Sequence, residues 1–227
     1  MTLPLSKTLD PADYASLQKE LALVDVFFHS DAQQHEHRRW EYALALDAVE
    51  RWERDRDAHV AVDVGGAGSP WHRILGQYLG LTVPVVDPAH TGHTTSSTTL
   101  ERYVSRNPPL ADVVTCLSVL EHVEDLDRFL YHLACLTAPG GLLFLTVDCC
   151  GCEEAGAWRL HHVLPGDEDQ HHFHWMRKRM FTRSSWEYLH LNLRPSGFEL
   201  LGDVDWTYHG NHVHDYSFAS LALRRRP

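Results

Sequence analysis

The sequence predicts one α/β unit: a mostly parallel sheet with helices on both faces, two N-terminal cap helices, and a C-terminal antiparallel hairpin. Three observations predict it. Short apolar runs alternate with helical segments between residues 59 and 148. Two helical stretches come before the first of these runs. After them, the last two apolar runs are joined by "TYHGNHVHD", which holds no helix. A parallel pair needs a crossover of roughly a dozen residues or more, usually helical, so these two strands read as antiparallel neighbours.

In chain order, residues 10–28 read as a helix, with Asp10 as cap, Pro11 in the first turn, and Leu17, Leu21 and Val24 at helical spacing. Residues 36–55 form a second, with Trp40, Leu44, Ala48 and Trp52 on one face. "HVAVDV" (59–64) is a short buried strand. "SPWHRILGQYLG" (69–80) is a helix opened by Pro70 and closed by Gly80. "LTVPVVD" (81–87) is a strand, and "HTGHTTSSTT" (90–99) reads as a loop. "ADVVTCLSV" (111–119) is a strand. Residues 124–141 are a helix ended by Pro139, Gly140 and Gly141, and "LLFLTVD" (142–148) is the next strand. Residues 182–198 are a helix and a turn. Strands at 198–206 and 216–225 close the chain, and "RRRP" (224–227) reads as a solvated end. Residues 1–58 are thus expected as an N-terminal helical cap and 59–227 as the ligand-binding domain, in a single compact unit.

Composition narrows the function. The chain has 227 residues, 44% hydrophobic and 22% charged, which is an ordinary globular balance. The formal charge of −11 argues against broad contact with nucleic acid or an anionic membrane, since phosphate binding needs clustered Lys and Arg. No apolar run approaches a membrane span, and the first residues lack the apolar stretch of a secretory signal. Five cysteines, two of them (Cys116 and Cys135) in apolar periodic segments, read as reduced thiols of a cytoplasmic protein. The expected state is a monomer or a homodimer.

The stretch "AVDVGGAGSP" (61–70) breaks an apolar strand with glycines, as turns that bring backbone close to a nucleotide-like ligand do. It does not fit a dinucleotide site well, because the third glycine place holds Trp71. It lacks the Gly-Lys-Ser/Thr of a phosphate-binding loop. Asp63, at the mouth of the first strand, would repel a pyrophosphate and welcome an ammonium. Asp87, closing the next strand, can accept from two adjacent ribose hydroxyls. A ligand with an ammonium at one end and a ribonucleoside at the other is S-adenosylmethionine.

On "VDVGGAGSP", "VVD", "ADVVTCLSVLEHVED" and "LTAPGGLLFLTVD", in that order from 62 to 148, the sequence resembles the class I S-adenosylmethionine-dependent methyltransferases of the small-molecule branch. "FTRSSWEYLHLNLRPSGFELL" and a closing strand match the family's end. The resemblance implies a Rossmann-like seven-stranded mostly parallel sheet. It also implies methyl transfer from S-adenosylmethionine to a small-molecule O, N or C acceptor. Asp63, Gly65, Gly66, Ala67, Gly68, Asp87, Ser118 and Val119 would bind the cofactor. The sequence departs from the family's turn: Ala67 and Ser69 stand at its second and third glycine places.

Each candidate has a plainer reading beside it. Asp63 is otherwise a cap for the helix near Ser69, and Asp87 a turn residue before Pro88. His122 in "LEHVED" would sit at the carboxyl edge of the sheet, where it can take a proton from the acceptor. Its alternative is a helix-start residue bonded to backbone, and Glu121 beside it caps or orients. In "DEDQHHFHWMRKRMFT" (167–182), His171, His172 and His174 are candidate bases. Phe173 and Trp175 are candidate stacking rings, and Arg177, Lys178 and Arg179 candidate anion contacts. A solvated basic loop is the alternative.

"DCCGCEE" (148–154) lacks paired C-x-x-C spacing, and no metal is expected. His209, His212 and His214 read as a pocket rim. "RRWEY" (38–42) reads as a lid face over the cofactor, with Trp40 as core the alternative. "NPPL" (107–110) precedes the fourth strand and lacks the aromatic residue that grips a flipped base, so it reads as a turn. The other functions kept open are a nucleic-acid methyltransferase and a non-catalytic S-adenosylmethionine-binding partner subunit.

Overall fold

Ala61–Val64 and Val113–Leu117 are buried at every position, mostly by apolar side chains, which suits a strand covered on both faces. In the computed structural model they are the middle of a seven-stranded sheet. The structure describes residues 3–27, 36–66, 68–88, 95–149, 158–160, 177–179, 181, 183–205, 207 and 217–227.

The elements are β1 (Ser6–Lys7), α1 (Asp13–Ser16), α2 (Gln18–Asp25), α3 (Glu36–Glu53), β2 (Ala61–Val64), α4 (Trp71–Leu79), β3 (Val85–Asp87) and β4 (Thr95–Ser97). Then follow α5 (Leu100–Val104), β5 (Ala111–Leu117), a 3-10 turn (Leu120–His122), α6 (Leu126–Leu136) and β6 (Thr137–Cys149). The chain ends with β7 (Trp158–Leu160), β8 (Arg177–Arg179), α7 (Arg183–Leu193), a second 3-10 turn (Arg194–Ser196), β9 (Phe198–Leu200), β10 (Val204–Asp205) and β11 (Ser217–Arg225). The large sheet has the order β4-β3-β2-β5-β6-β11-β9. Its neighbours are parallel except β11, which runs antiparallel to both β6 and β9.

Alternate residues feed two cores. Val113 and Leu117 of β5 join Leu142 and Phe144 of β6 beneath α3 and α4. Val114 and Cys116 join Leu143, Leu145 and Val147 beneath α6 and α7. This is the period of two expected for a strand. Helix α3 carries the predicted stripe: Trp40, Leu44 and Ala48 are fully buried and Trp52 nearly so. Burying each large side chain contributes roughly 1.5–3 kcal/mol.

Several local expectations are corrected. The helix expected over 10–28 is divided at Leu17 into α1 and α2. Asp10 accepts from the Ala12 N–H (2.9 Å) one step ahead of the helix. The unforeseen β1 pairs parallel with β10, matching Ser6 to Val204. This pairing draws 204–205 away from β11, so the strand expected over 198–206 shrinks to β9. The loop expected at 90–99 contains the edge strand β4, whose residues Thr95–Ser97 pair with Val85–Asp87. Polar residues suit an edge position, and β4 supplies the seventh strand.

Helix α6 ends at Leu136, five residues before the predicted end, with the Thr137 hydroxyl donating to the Leu133 carbonyl (2.9 Å). Pro139, Gly140 and Gly141 lie inside β6, where the register with β5 jumps from Ala111–Thr137 to Val113–Leu142. The expected solvated end is anchored too. Arg225 donates to the carbonyls of Ala134 and Thr137, a cation at the end of α6, and Arg224 pairs with Glu199.

Candidate active site

Parallel strands present all their carboxyl ends on one edge, and the turns that follow β2, β3 and β5 meet there around a cavity of about 870 Å³. It is lined by Asp63, Gly65, Gly66, Gly68, Asp87, Ser118, Val119 and His122, so eight of the predicted site residues are brought together. Ala67, His172 and His174 lie outside the described residues, as do His171, Phe173, Trp175, Cys150, Cys152, His209, His212 and His214. Arg177–Arg179 form β8, which pairs antiparallel with β7.

Asp63 is held from below. Its Oδ1 accepts from the Thr115 hydroxyl (3.0 Å), which in turn accepts from the Trp71 indole N–H (2.9 Å). The bulk of Trp71 therefore does not hold α4 off the sheet. The ring is buried, stacks on Tyr42 at 5.3 Å, and supports the acid through Thr115. Asp63 Oδ2 faces the glycine turn with no hydrogen-bond partner among the described residues. A Cβ at Gly66 would come within 1.9 Å of that oxygen, so any larger residue there would displace the Asp63 carboxylate. Burial raises the Asp63 pKa to about 7; the Thr115 bond lowers it and the charge of Asp87 raises it further.

Gly65 adopts a φ of +82°, and a Cβ there would sit 2.2 Å from the Val119 side chain. The turns after β2 and β5 thus touch. Ser118 stands at a φ of +52°, uncommon for a residue with a side chain. Its N–H donates to both the carbonyl (3.1 Å) and the hydroxyl (3.0 Å) of Thr146. Asp87 closes β3 and is almost fully buried. His122 is exposed at the cavity rim on the first 3-10 turn.

The "RRWEY" segment divides its roles. Arg38 and Tyr42 line the cavity. Trp40 turns into the core and donates to Asp13 Oδ2 (2.9 Å). Desolvation pushes the Tyr42 phenol up to about 12, so it stays neutral, 2.8 Å from the Ser69 hydroxyl. Leu100 and Phe129, apolar walls of the same cavity, have no signal in the sequence that sets them apart from core residues. Glu41, missed by the sequence reading, is fully buried and accepts from Ser118 and Thr146. The signal was present: an acid that heads the apolar positions Ala45, Ala48 and Val49 one and two turns on. Among the described residues no group of His, Cys, Asp and Glu could hold a metal ion.

These features fit S-adenosylmethionine: a buried, half-satisfied carboxylate, a second acid on the neighbouring strand, a glycine cradle, and room for a cofactor with an acceptor. A family model described as a methyltransferase domain matches residues 30–191. The chain is 31% identical over 134 residues to a ubiquinone biosynthesis O-methyltransferase of Pectobacterium carotovorum, covering 52% of this chain and 54% of that protein. A protein of the same description from Caulobacter is 29% identical over 152 residues, covering 56% of this chain and 60% of the relative. The chain thus spans a little over half the length of these two relatives.

Among solved structures, a Burkholderia thailandensis 1,6-didemethyltoxoflavin-N1-methyltransferase with bound S-adenosylhomocysteine superposes with a TM-score of 0.55 at 17% identity, covering 100% of this chain and 94% of that one. The N-methyltransferase NodS of Bradyrhizobium japonicum, in complex with S-adenosylhomocysteine, gives 0.54 at 13% identity, covering 93% and 97%. With its family model matched over most of its length and its fold shared with these structures, the chain belongs to the methyltransferase domain family.

Proposed function

We propose that this protein transfers a methyl group from S-adenosylmethionine to a small-molecule acceptor. One observation carries the reading: Asp63 and Asp87, on adjacent strands, face one cavity, and Asp63 keeps an oxygen without a partner among the described residues. Asp63 receives the cofactor ammonium and Asp87 its ribose hydroxyls. Gly65, Gly66 and Gly68 let backbone close on the methionine end, and Ser118 and Val119 form the opposite wall. Bound there, S-adenosylmethionine supplies an electrophilic methyl on a sulfonium sulfur. The chain's own contribution is to position the acceptor and exclude water.

The names of the sequence relatives favour a hydroxyl acceptor. Its proton must leave as the new bond forms, and the position of His122 in the cavity lining supports it as the base. The charge of −11 supports a small acceptor over nucleic acid. Thiols at Cys116 and Cys135 support a cytoplasmic setting. No helix among the described residues is long and apolar enough to cross a membrane.

Calorimetric titration with S-adenosylhomocysteine tests the cofactor site. Wild type is expected to bind at micromolar level and Asp87→Ala to lose about tenfold or more, since two hydrogen bonds to a carboxylate are removed. Equal affinity of the two proteins would remove Asp87 from the site. For His122→Gln, the expected result is a drop in kcat of about 100-fold with S-adenosylhomocysteine affinity unchanged. A kcat equal to wild type would take His122 out of the proton transfer.

A further inference from the structure

Glu41 belongs to α3, yet its carboxylate reaches the cofactor cavity's supporting structure. It is fully buried, and a buried carboxylate is costly unless charge-assisted bonds surround it. Oε1 accepts from the hydroxyls of Ser118 and Thr146, both at 2.6 Å, and Oε2 from the Arg38 guanidinium at 2.8 Å. All three donors belong to the site. Arg38 and Ser118 line the cavity, and Thr146 receives the Ser118 N–H.

Ser118 needs such support. A left-handed φ of +52° strains a residue with a Cβ, and strain of this kind persists only where surrounding bonds over-determine it. The turn it makes delivers Val119 onto Gly65. Release of the turn would move the wall of the cavity that faces the glycine cradle.

We infer that Glu41 is a positioning residue for the cofactor site: it holds the Ser118 turn in its left-handed form and fixes Arg38 at the cavity wall, which makes α3 part of the site. The inference rests on the cofactor reading above.

The test is S-adenosylhomocysteine titration of wild type, Glu41→Gln, Thr146→Val and the double variant, with urea unfolding of each. Glu41→Gln keeps the shape and loses the charge, and its Kd is expected to rise about tenfold or more. Thr146→Val is expected to raise Kd by about threefold or more. The double variant should bind about as Glu41→Gln does, because both act on one network. A purely structural role would lower the urea midpoint and leave the Kd of the folded protein unchanged; that result overturns the inference. If Glu41→Gln does not fold, Thr146→Val carries the same test, and an unchanged Kd there is equally decisive. Failure of wild type itself to bind would overturn the cofactor reading and this inference with it.

Discussion

Asp63→Asn is expected to weaken S-adenosylhomocysteine binding by about 100-fold, because a charge-assisted hydrogen bond to the ligand ammonium is lost at a buried site. Asparagine keeps the shape and can still accept from Thr115, so the loss reports the charge. The same carboxylate makes wild-type binding depend on pH. Its folded-state pKa stands at about 7, well above the unfolded value of roughly 3.9. Between those values the folded protein holds the proton more tightly than the unfolded chain. The stability this group contributes is therefore present at low pH and lost as pH rises through about 7. Ligand binding runs the other way, since the ammonium needs the ionised form. Affinity should fall as pH drops below about 7, and Asp63→Asn should abolish that slope. Titrations at about pH 6 and about pH 8 decide it; a flat wild-type affinity would rule out Asp63 as the ammonium partner.

Asp13→Ala is expected to cost about 3–5 kcal/mol of stability. Asp13 is buried and bonds to the Lys7 ammonium (2.5 Å), the Trp40 indole N–H (2.9 Å) and the Asp10 N–H (3.3 Å). Removal leaves a buried ammonium and a buried indole donor without their acceptor, and breaking such a pair costs far more than the pair itself contributes. These bonds join β1, α1 and α3. Urea unfolding measures the loss. Replacing both ends with apolar residues, as Lys7→Met with Asp13→Leu, should recover the part due to the unpaired ammonium, while the Trp40 indole donor still lacks its acceptor. A cost below about 1 kcal/mol for Asp13→Ala would mean the lysine reaches water.

Much of the site was legible because its signals are local. A strand that ends in an acid and a glycine turn needs only consecutive residues, as in Asp63 to Gly68, and so does a strand that closes on Asp87. Topology then does the gathering. Alternating strands and helices imply parallel pairing, and parallel pairing puts every carboxyl end on one edge. The helix stripe of Trp40, Leu44, Ala48 and Trp52 was legible for the same reason, since its period is written in adjacent turns.

What escaped the sequence depends on partners distant in the chain. Thr95–Ser97 looks like a loop until β3 offers it an edge. Ser6–Lys7 becomes a strand only beside Val204–Asp205. Arg225 looks like a solvated end until the final carbonyls of α6 lie within its reach. Glu41 and Ser118 are separated by 77 residues, and neither residue type announces the other.

The sequence by itself determined the fold class, the central strands and the acids at the mouths of β2 and β3. Tertiary structure alone decided the edges of the sheet, the path of the chain termini and the second layer of residues beneath the cavity. The division follows from range: turn chemistry and hydrophobic period act over a few residues, whereas strand edges and buried acids gain their partners only when distant segments pack.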